Sequence, residues 1–324
     1  NSEGVSVETG PKAPPLDTLA QLDQSESAKS RIKLAKRAKA KHITGPIAVG
    51  LAELRTSLEK SYRNTVYCAG LLVQDRDGTL RGLYCGNRWC LVCNRVRIAR
   101  AINRYVPAIA SWSEPYFVTL TLPNVKADCL AFTIRDMLRD IVLIGRAIKR
   151  TDKIALRALR KLECTYNSQR DDYHPHFHIA VEGRAAADAI LSRWLSRHPE
   201  ASPSAQDIRP CDMGTLKEMF KYFTKLFAKA SDTDAAKSIA PFKALDTIFT
   251  AMKGKRVFQP MGFKVSVTPT EDDNAEIGQL SDTVSPTRRG DKVAWEWIQA
   301  LHDWIDLDTG EVLSGYEPTP TAST

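Results

Sequence analysis

The chain has no run of 18 apolar residues, so no segment is suited to cross a bilayer as a helix. Its first 25 residues lack a basic start followed by an apolar run, so no secretion signal is expected there. It has no Gly-rich loop of the Walker type, so the usual phosphate cradle of a nucleotide-driven motor is missing. Acids are in deficit, with 38 Asp and Glu against 46 Lys and Arg, a net charge of +8 and a pI of about 9.1. That balance points to an anionic partner, nucleic acid first, and carries no information about fold. The seven cysteines are odd in number and unevenly spread. Without a secretion signal, clustered cysteines favour metal over disulfides, and a cytoplasmic location is expected. Histidine is scarce: the chain has six. Three of them, His174, His176 and His178, fall at alternate positions in DYHPHFHIAVEG.

A hydrophobic content of 43% in 324 residues supports one large domain or two ordinary ones. Residues 1–27 are polar and rich in Ser, Pro and Gly, and cannot fold alone. Lys29–His42 follows, with seven Lys or Arg and no acid. It reads either as a solvated basic helix or as an arm that tracks phosphates. The expected organisation is a disordered tail and basic arm over 1–46, a Cys-rich region over 47–112, a catalytic core over 113–230 and a helical extension over 231–324.

Within those bounds, helices are expected at 48–62, 94–112, 128–150, 185–197, 214–229 and 291–304. A hairpin is expected over 65–84 with Asp77-Gly78 at its turn. Strands are expected at 115–124, 158–166, 174–182 and 207–212, and a second hairpin around Asp308-Thr309-Gly310. Strands and helices mix without a regular βαβ rhythm, so the fold class is α+β with an antiparallel sheet flanked by helices.

Strand side chains alternate, so His174, His176 and His178 share one face while Pro175, Phe177 and Ile179 face the core. Two neighbouring imidazoles on that face lie ~7 Å apart at the backbone and can converge on one ion, whereas three span ~13 Å. A second strand must then supply a ligand, and Glu163 in KLECTYN, joined by a polar turn around Ser168–Asp172, is placed to do so. Two imidazoles and a carboxylate with open positions suit a catalytic Mn²⁺ or Mg²⁺. The bland alternative is a set of surface or core histidines.

His176-Phe177-His178 resembles the signature of HUH endonucleases. The ordered set FVTLTLPN, LECTYN, HPHFH and a later helix with a tyrosine resembles the plasmid rolling-circle replication initiators, the Rep proteins, over about Tyr67–Phe227. The resemblance implies an antiparallel HUH core and a nucleophile at Tyr222 in GTLKEMFKYFTKLF. It implies a metal-dependent nick in single-stranded origin DNA through a 5′-phosphotyrosine, with a free 3′-OH left to prime synthesis. Glu218, four residues before Tyr222, would activate water or a 3′-OH in the terminating step. Lys225, three after it, would steady the phosphate or lower the phenol pKa. Plain packing is the alternative for this helix.

Cys68, Cys85, Cys90 and Cys93 are spaced C-x16-C-x4-C-x2-C, which suits a tetrahedral structural Zn²⁺. Cys129, Cys164 and Cys211 read as ordinary buried cysteines. Arg88 and the run Arg95, Arg97, Arg100 and Arg104 form an expected DNA-binding surface, and Lys253–Arg256 is a second phosphate contact or a turn. With no P-loop, a host helicase and polymerase are the expected partners. Single-tyrosine HUH transposases share this order of motifs. Relaxases place the tyrosine before the HUH strand and fit less well. A zinc-containing DNA-binding regulator without catalysis would need neither Tyr222 nor HPHFH.

Overall fold

The computed structural model describes residues 16–75, 79–220, 239–265, 282–283 and 293–318. In chain order the elements begin with α1 (Leu16–Glu53), α2 (Glu59–Val66), β1 (Leu71–Gln74), β2 (Thr79–Gly82) and α3 (Leu91–Ala110). They continue with β3 (Pro115–Thr121), α4 (Ala127–Ala147), β4 (Ala158–Asn167), β5 (Asp172–Glu182), α5 (Arg184–Arg197), β6 (Asp207–Pro210) and α6 (Met213–Met219). The last are α7 (Ile239–Met252), β7 (Phe258–Met261), β8 (Asp282–Thr283), β9 (Val293–Ile298) and β10 (Asp303–Asp306). The class is α+β, with antiparallel sheets and flanking helices. Two compact units share the chain, one of residues 1–42, 69–83 and 279–324, the other of 43–68 and 84–278.

The first unit holds a sheet of order β10-β9-β1-β2-β8. Its C-terminal strands correct the expectation of a helix over 291–304. In β9 the residues alternate, with Val293 and Trp295 buried and Glu296 exposed. That period of two is a strand pattern. Trp295 pairs with Leu72 across the sheet, and Trp304 is fully buried and donates its indole N–H to the Ala69 carbonyl at 2.7 Å. These two tryptophans are core. The expected turn at 308–310 is present, with Gly310 at φ +78° and a bridge between Ile305 and Val312. The hairpin expected over 65–84 is the β1–β2 pair, and Asp77-Gly78 lies outside the described residues. Helix α1 starts at Leu16, inside the stretch expected to be unstructured. Extending an existing helix is far cheaper than nucleating one, so the Ala- and Lys-rich segment carries its neighbours along. The single helix expected at 48–62 is instead broken between α1 and α2, with Arg55 at φ +52°.

The second unit is built on a sheet of order β6-β3-β5-β4-β7. The central hairpin β4–β5 sets its register, with Lys161 opposite His178, Glu163 opposite His176 and Thr165 opposite His174. On the other side β3 places Thr119 opposite His178 and Phe117 opposite Ala180. Because the side-chain period is two, one face carries Phe117, Thr119, Lys161, Glu163, His176, His178 and Ala180. The opposite face carries Phe177 and Ile179, both fully buried. Phe177 meets Trp194 of α5 with ring centroids 5.9 Å apart. The histidine face is capped at one end by α3 and α6: Tyr105, Ile109, Leu216, Met219 and Phe220 cluster with Phe117, Leu159 and Ala180. That packing leaves the other end of the same face to the polar residues.

Candidate active site and cysteine centre

The HPHFH strand converges its donors through register. Glu163 Oε2 lies 2.9 Å from His178 Nε2 and 3.4 Å from His176 Nε2. The ligand atoms of Glu163, His176 and His178 all fall within 4.8 Å of one another. The two shorter spacings suit adjacent ligands of an octahedral ion, whose edge is ~3.0 Å at ~2.1 Å bonds. His174 is not part of this set. It stacks on His176 at 5.0 Å between centroids, one step further along the strand than the carboxylate reaches.

Partners behind the ligands hold them in place. The Nδ1 of His176 lies 3.0 Å from the His174 carbonyl, which makes Nδ1 the protonated nitrogen and leaves Nε2 its lone pair. The His178 Nδ1 is 3.3 Å from the Thr119 hydroxyl, and its ring stacks on Phe117 at 5.2 Å. The Lys161 ammonium, 1% exposed, donates to Glu163 Oε1 at 2.8 Å. Burial alone would raise the Glu163 pKa. The neighbouring His176 and His178 imidazoles and the Lys161 charge outweigh it and hold the carboxyl well below its ordinary range. Burial lowers His174 to about 4 and lowers His178 as well, so both are neutral near pH 7. Neutral imidazole is the metal-binding form. Lys161 and Thr119 were not singled out from sequence. Their signal was position: each faces His178 across a strand pair.

The helix expected at 214–229 is described over Met213–Met219. Tyr222 and Lys225 lie outside the described residues, as does the side chain of Glu218.

The four cysteines meet where the C-terminal end of α2 abuts the start of α3. Cys68 follows α2, Cys85 lies in the loop, Cys90 caps α3 and Cys93 sits in its first turn. Their sulfurs are 3.5 Å (Cys68–Cys93), 3.5 Å (Cys90–Cys68) and 3.7 Å (Cys85–Cys93) apart. Those separations rule out disulfides and approach the ~3.8 Å edge of a tetrahedron with ~2.3 Å metal–sulfur bonds. Backbone N–H groups support the sulfurs, Cys85 N–H to Cys68 Sγ at 3.4 Å and Asn87 N–H to Cys85 Sγ at 3.5 Å. Contacts with Cys68, Cys90 and Cys93 push the Cys85 thiol down, burial pushes Cys90 up, and contact with Cys68 raises Cys93. Four sulfurs this close cannot all ionise without a cation among them. The set can hold one metal ion.

Of the remaining cysteines, Cys164 and Cys211 are buried as expected, but Cys129 is exposed on the outer face of α4. The arginines divide. Arg95 is exposed, while Arg97 donates to the Gly86 carbonyl at 2.7 Å and Arg88 donates to the Lys255 carbonyl. Those two brace the cysteine loop, whatever else they touch. Arg100 and Arg104 are half-buried on α3, and Arg104 lies over the Tyr105 ring at 5.2 Å. Lys253–Arg256 forms a turn with Gly254 at φ +71°.

Known proteins resemble parts of this chain. The family model described as replication protein matches residues 79–182, a span holding Cys85, Cys90, Cys93, Glu163, His176 and His178. Over that span, about a third of the chain, it is similar to the replication proteins. A Rep protein of Streptococcus pneumoniae serotype 2 (strain D39 / NCTC 7466) is 28% identical over 289 residues, 78% of this chain and 88% of the relative. One from Staphylococcus aureus is 36% identical over 103 residues, 30% of this chain and 44% of the relative. One from Bacillus sp is 29% identical over 136 residues, 39% of this chain and 44% of the relative. The chain therefore spans less than half the length of the Staphylococcus and Bacillus Rep proteins it matches. No solved structure matches. Among the described residues, no helix of this chain is long and apolar enough to cross a membrane.

Proposed function

We propose that this chain is a Rep-type plasmid replication initiator that nicks and rejoins single-stranded origin DNA by HUH chemistry in the cytoplasm. The observation that carries the reading is the convergence of His176 Nε2, His178 Nε2 and Glu163 Oε2, each held by its own partner. Mn²⁺ or Mg²⁺ bound there would offset charge that builds on the scissile phosphate oxygens. The chain's own residues do the rest. His176 and His178 would each offer Nε2 to the ion. Glu163 stays ionised with its second oxygen occupied by Lys161.

Tyr222 is the proposed nucleophile. Its phenol oxygen forms a bond to phosphorus, its proton leaves to solvent or a base, and the 3′-oxygen departs and takes up a proton. The bond energy is kept in the 5′-phosphotyrosine, so the strand can be rejoined. The chain reaches Tyr222 two residues after Phe220, which is buried on the Phe117–Ala180 end of the histidine face. Glu218 would activate the terminating nucleophile, and Lys225 would steady the phosphate. A Zn²⁺ on the four cysteines would hold α2 to α3. Host helicase and polymerase would extend the free 3′-OH.

The test is a supercoiled plasmid carrying this gene and its flanking DNA, incubated with Mn²⁺ and the full chain. A nicked circle with a denaturation-resistant adduct on Tyr222, lost with Tyr222→Phe or EDTA, is expected. Binding without any adduct would replace the reading with a non-catalytic regulator.

A further inference from the structure

A cavity of about 510 Å³ opens beside the cysteine loop, lined by α2, residues 86–89 of that loop, α3 and the C-terminal end of α7. Its size falls in the range of small-molecule sites, roughly 300–1,000 Å³. Among the described residues, four cations line it, Lys60, Arg88, Arg97 and Lys253, and no carboxylate does. The Asp246 carboxylate of α7 is instead engaged by the Tyr62 hydroxyl at 2.6 Å and the Thr56 hydroxyl at 2.8 Å. The apolar wall is an aromatic pair, Trp89 stacked on Phe249 at 5.2 Å and 24°. The Trp89 indole N–H is buried away from the cavity, with no acceptor among the described residues.

Cations and aromatics in one concave site are the two elements of sequence-tolerant single-strand binding. Carbonyl bonds from Gly86 and Lys255 fix the Arg97 and Arg88 guanidinium groups in advance. Lys60 and Lys253 are exposed at the rim. A base paired in a duplex stays stacked and cannot enter such a cavity, whereas a splayed one can.

We propose that this cleft binds one unstacked nucleotide, with its base against the Trp89–Phe249 wall and its flanking phosphates held by Lys60 and Lys253. This goes beyond the nicking site and rests on the reading that the protein handles single-stranded DNA. The shared ligand chemistry is an aromatic base with a phosphate, carried by a strand or free.

The experiment is fluorescence anisotropy of a mixed-sequence single-stranded 20-mer with the full chain, titrated over a range of salt. The variants are the double change Lys60→Gln/Lys253→Gln and, separately, Ser57→Glu, an exposed lining position whose change leaves the interior untouched. Both should weaken single-strand binding several-fold. The double change should reduce the slope of log affinity on log salt by about 1.4, from ~0.7 for each phosphate. Duplex binding should change much less. Unchanged affinity and slope in both variants, or an equal loss for duplex, overturns the cleft. Competition with deoxyadenosine 5′-monophosphate separates the two sources: displacement means that a free nucleotide also fits, and none means that the strand-borne one is the ligand.

The Tyr222 adduct, followed in parallel at saturating DNA, keeps this proposal apart from the nicking reading. Loss of binding in the variants without any wild-type adduct upholds the cleft and sinks the nuclease. A wild-type adduct with variants that bind normally does the reverse.

Discussion

The cysteine centre yields the sharpest quantitative expectation. Three sulfur separations of 3.5–3.7 Å sit just inside the ~3.8 Å edge of a zinc–thiolate tetrahedron. Closing on an ion therefore requires shifts of only a few tenths of an ångström, and the bound state is nearly preformed. Metal that binds the folded chain and not the unfolded one stabilises it by RT ln(1 + [L]/Kd), about 4.1 kcal/mol at free zinc 1,000-fold above Kd. For a unit of this size each kcal/mol moves the melting point by roughly 2–4 °C, so the expected shift is about 8–16 °C. The assay is calorimetry with and without chelator, alongside metal analysis of the purified chain. One zinc per chain, and a Cys93→Ser variant that loses both the metal and the shift, is the expected outcome. A chain that carries no zinc and melts at the same temperature with chelator or added zinc would refute the argument.

Glu163→Ala should cost about 3–5 kcal/mol in urea unfolding, because it leaves the buried Lys161 ammonium without its carboxylate. Adding Lys161→Met should recover much of that stability while DNA joining stays absent; no recovery would mean the pair is not what the mutation breaks. Gly262→Ala should prevent stable folding, since a Cβ at φ +73° would overlap the Leu156 carbonyl. Gly254→Ala, at φ +71° with open space around it, should cost only the ~1–2 kcal/mol of left-handed backbone, as expression and thermal melts would show. The pKa of Asp140 would rise by burial, but bonds from Arg139 and Arg197 hold it below its ordinary value. The unfolded chain therefore takes up the proton first. The contribution of Asp140 is complete above about pH 4 and fades as pH falls through the lower folded value. The urea-midpoint gap between wild type and Asp140→Asn should accordingly narrow as the pH falls below about 4.

The histidine strand was legible because its period is unambiguous. His174, His176 and His178 alternate with Pro175, Phe177 and Ile179, and no helix accounts for that. Glu163 was legible because a short polar turn joins β4 to β5 and fixes which strand lies beside which. What periodicity could not say was register, and register decides that Glu163 sits opposite His176 and leaves His174 outside the cluster. Lys161 was hidden for a related reason: a lysine is ordinarily exposed, and only its place opposite His178 buries it. The error over 291–304 came from Trp295, Trp297 and Trp304. Bulky apolar residues at irregular spacing fit a helical face and a pair of strands equally well. Only pairing with β1, more than two hundred residues earlier, resolves the choice.

That pairing has a consequence for how the protein is made. Strands β1 and β2 leave the ribosome early, but β9 and β10 come from the far end of the chain. A two-stranded hairpin is marginal in water, and one edge of β1 stays open until β9 arrives to cover it. The unit built on the histidine sheet draws on residues 43–68 and 84–278 and can assemble first. The β9–β10 sheet is the last to close, and it bridges the greatest separation in sequence, the slow step in chains dominated by distant contacts. A transcript cut short before β9 would therefore yield a chain with its histidine sheet in place and an unpaired strand edge, ready to aggregate.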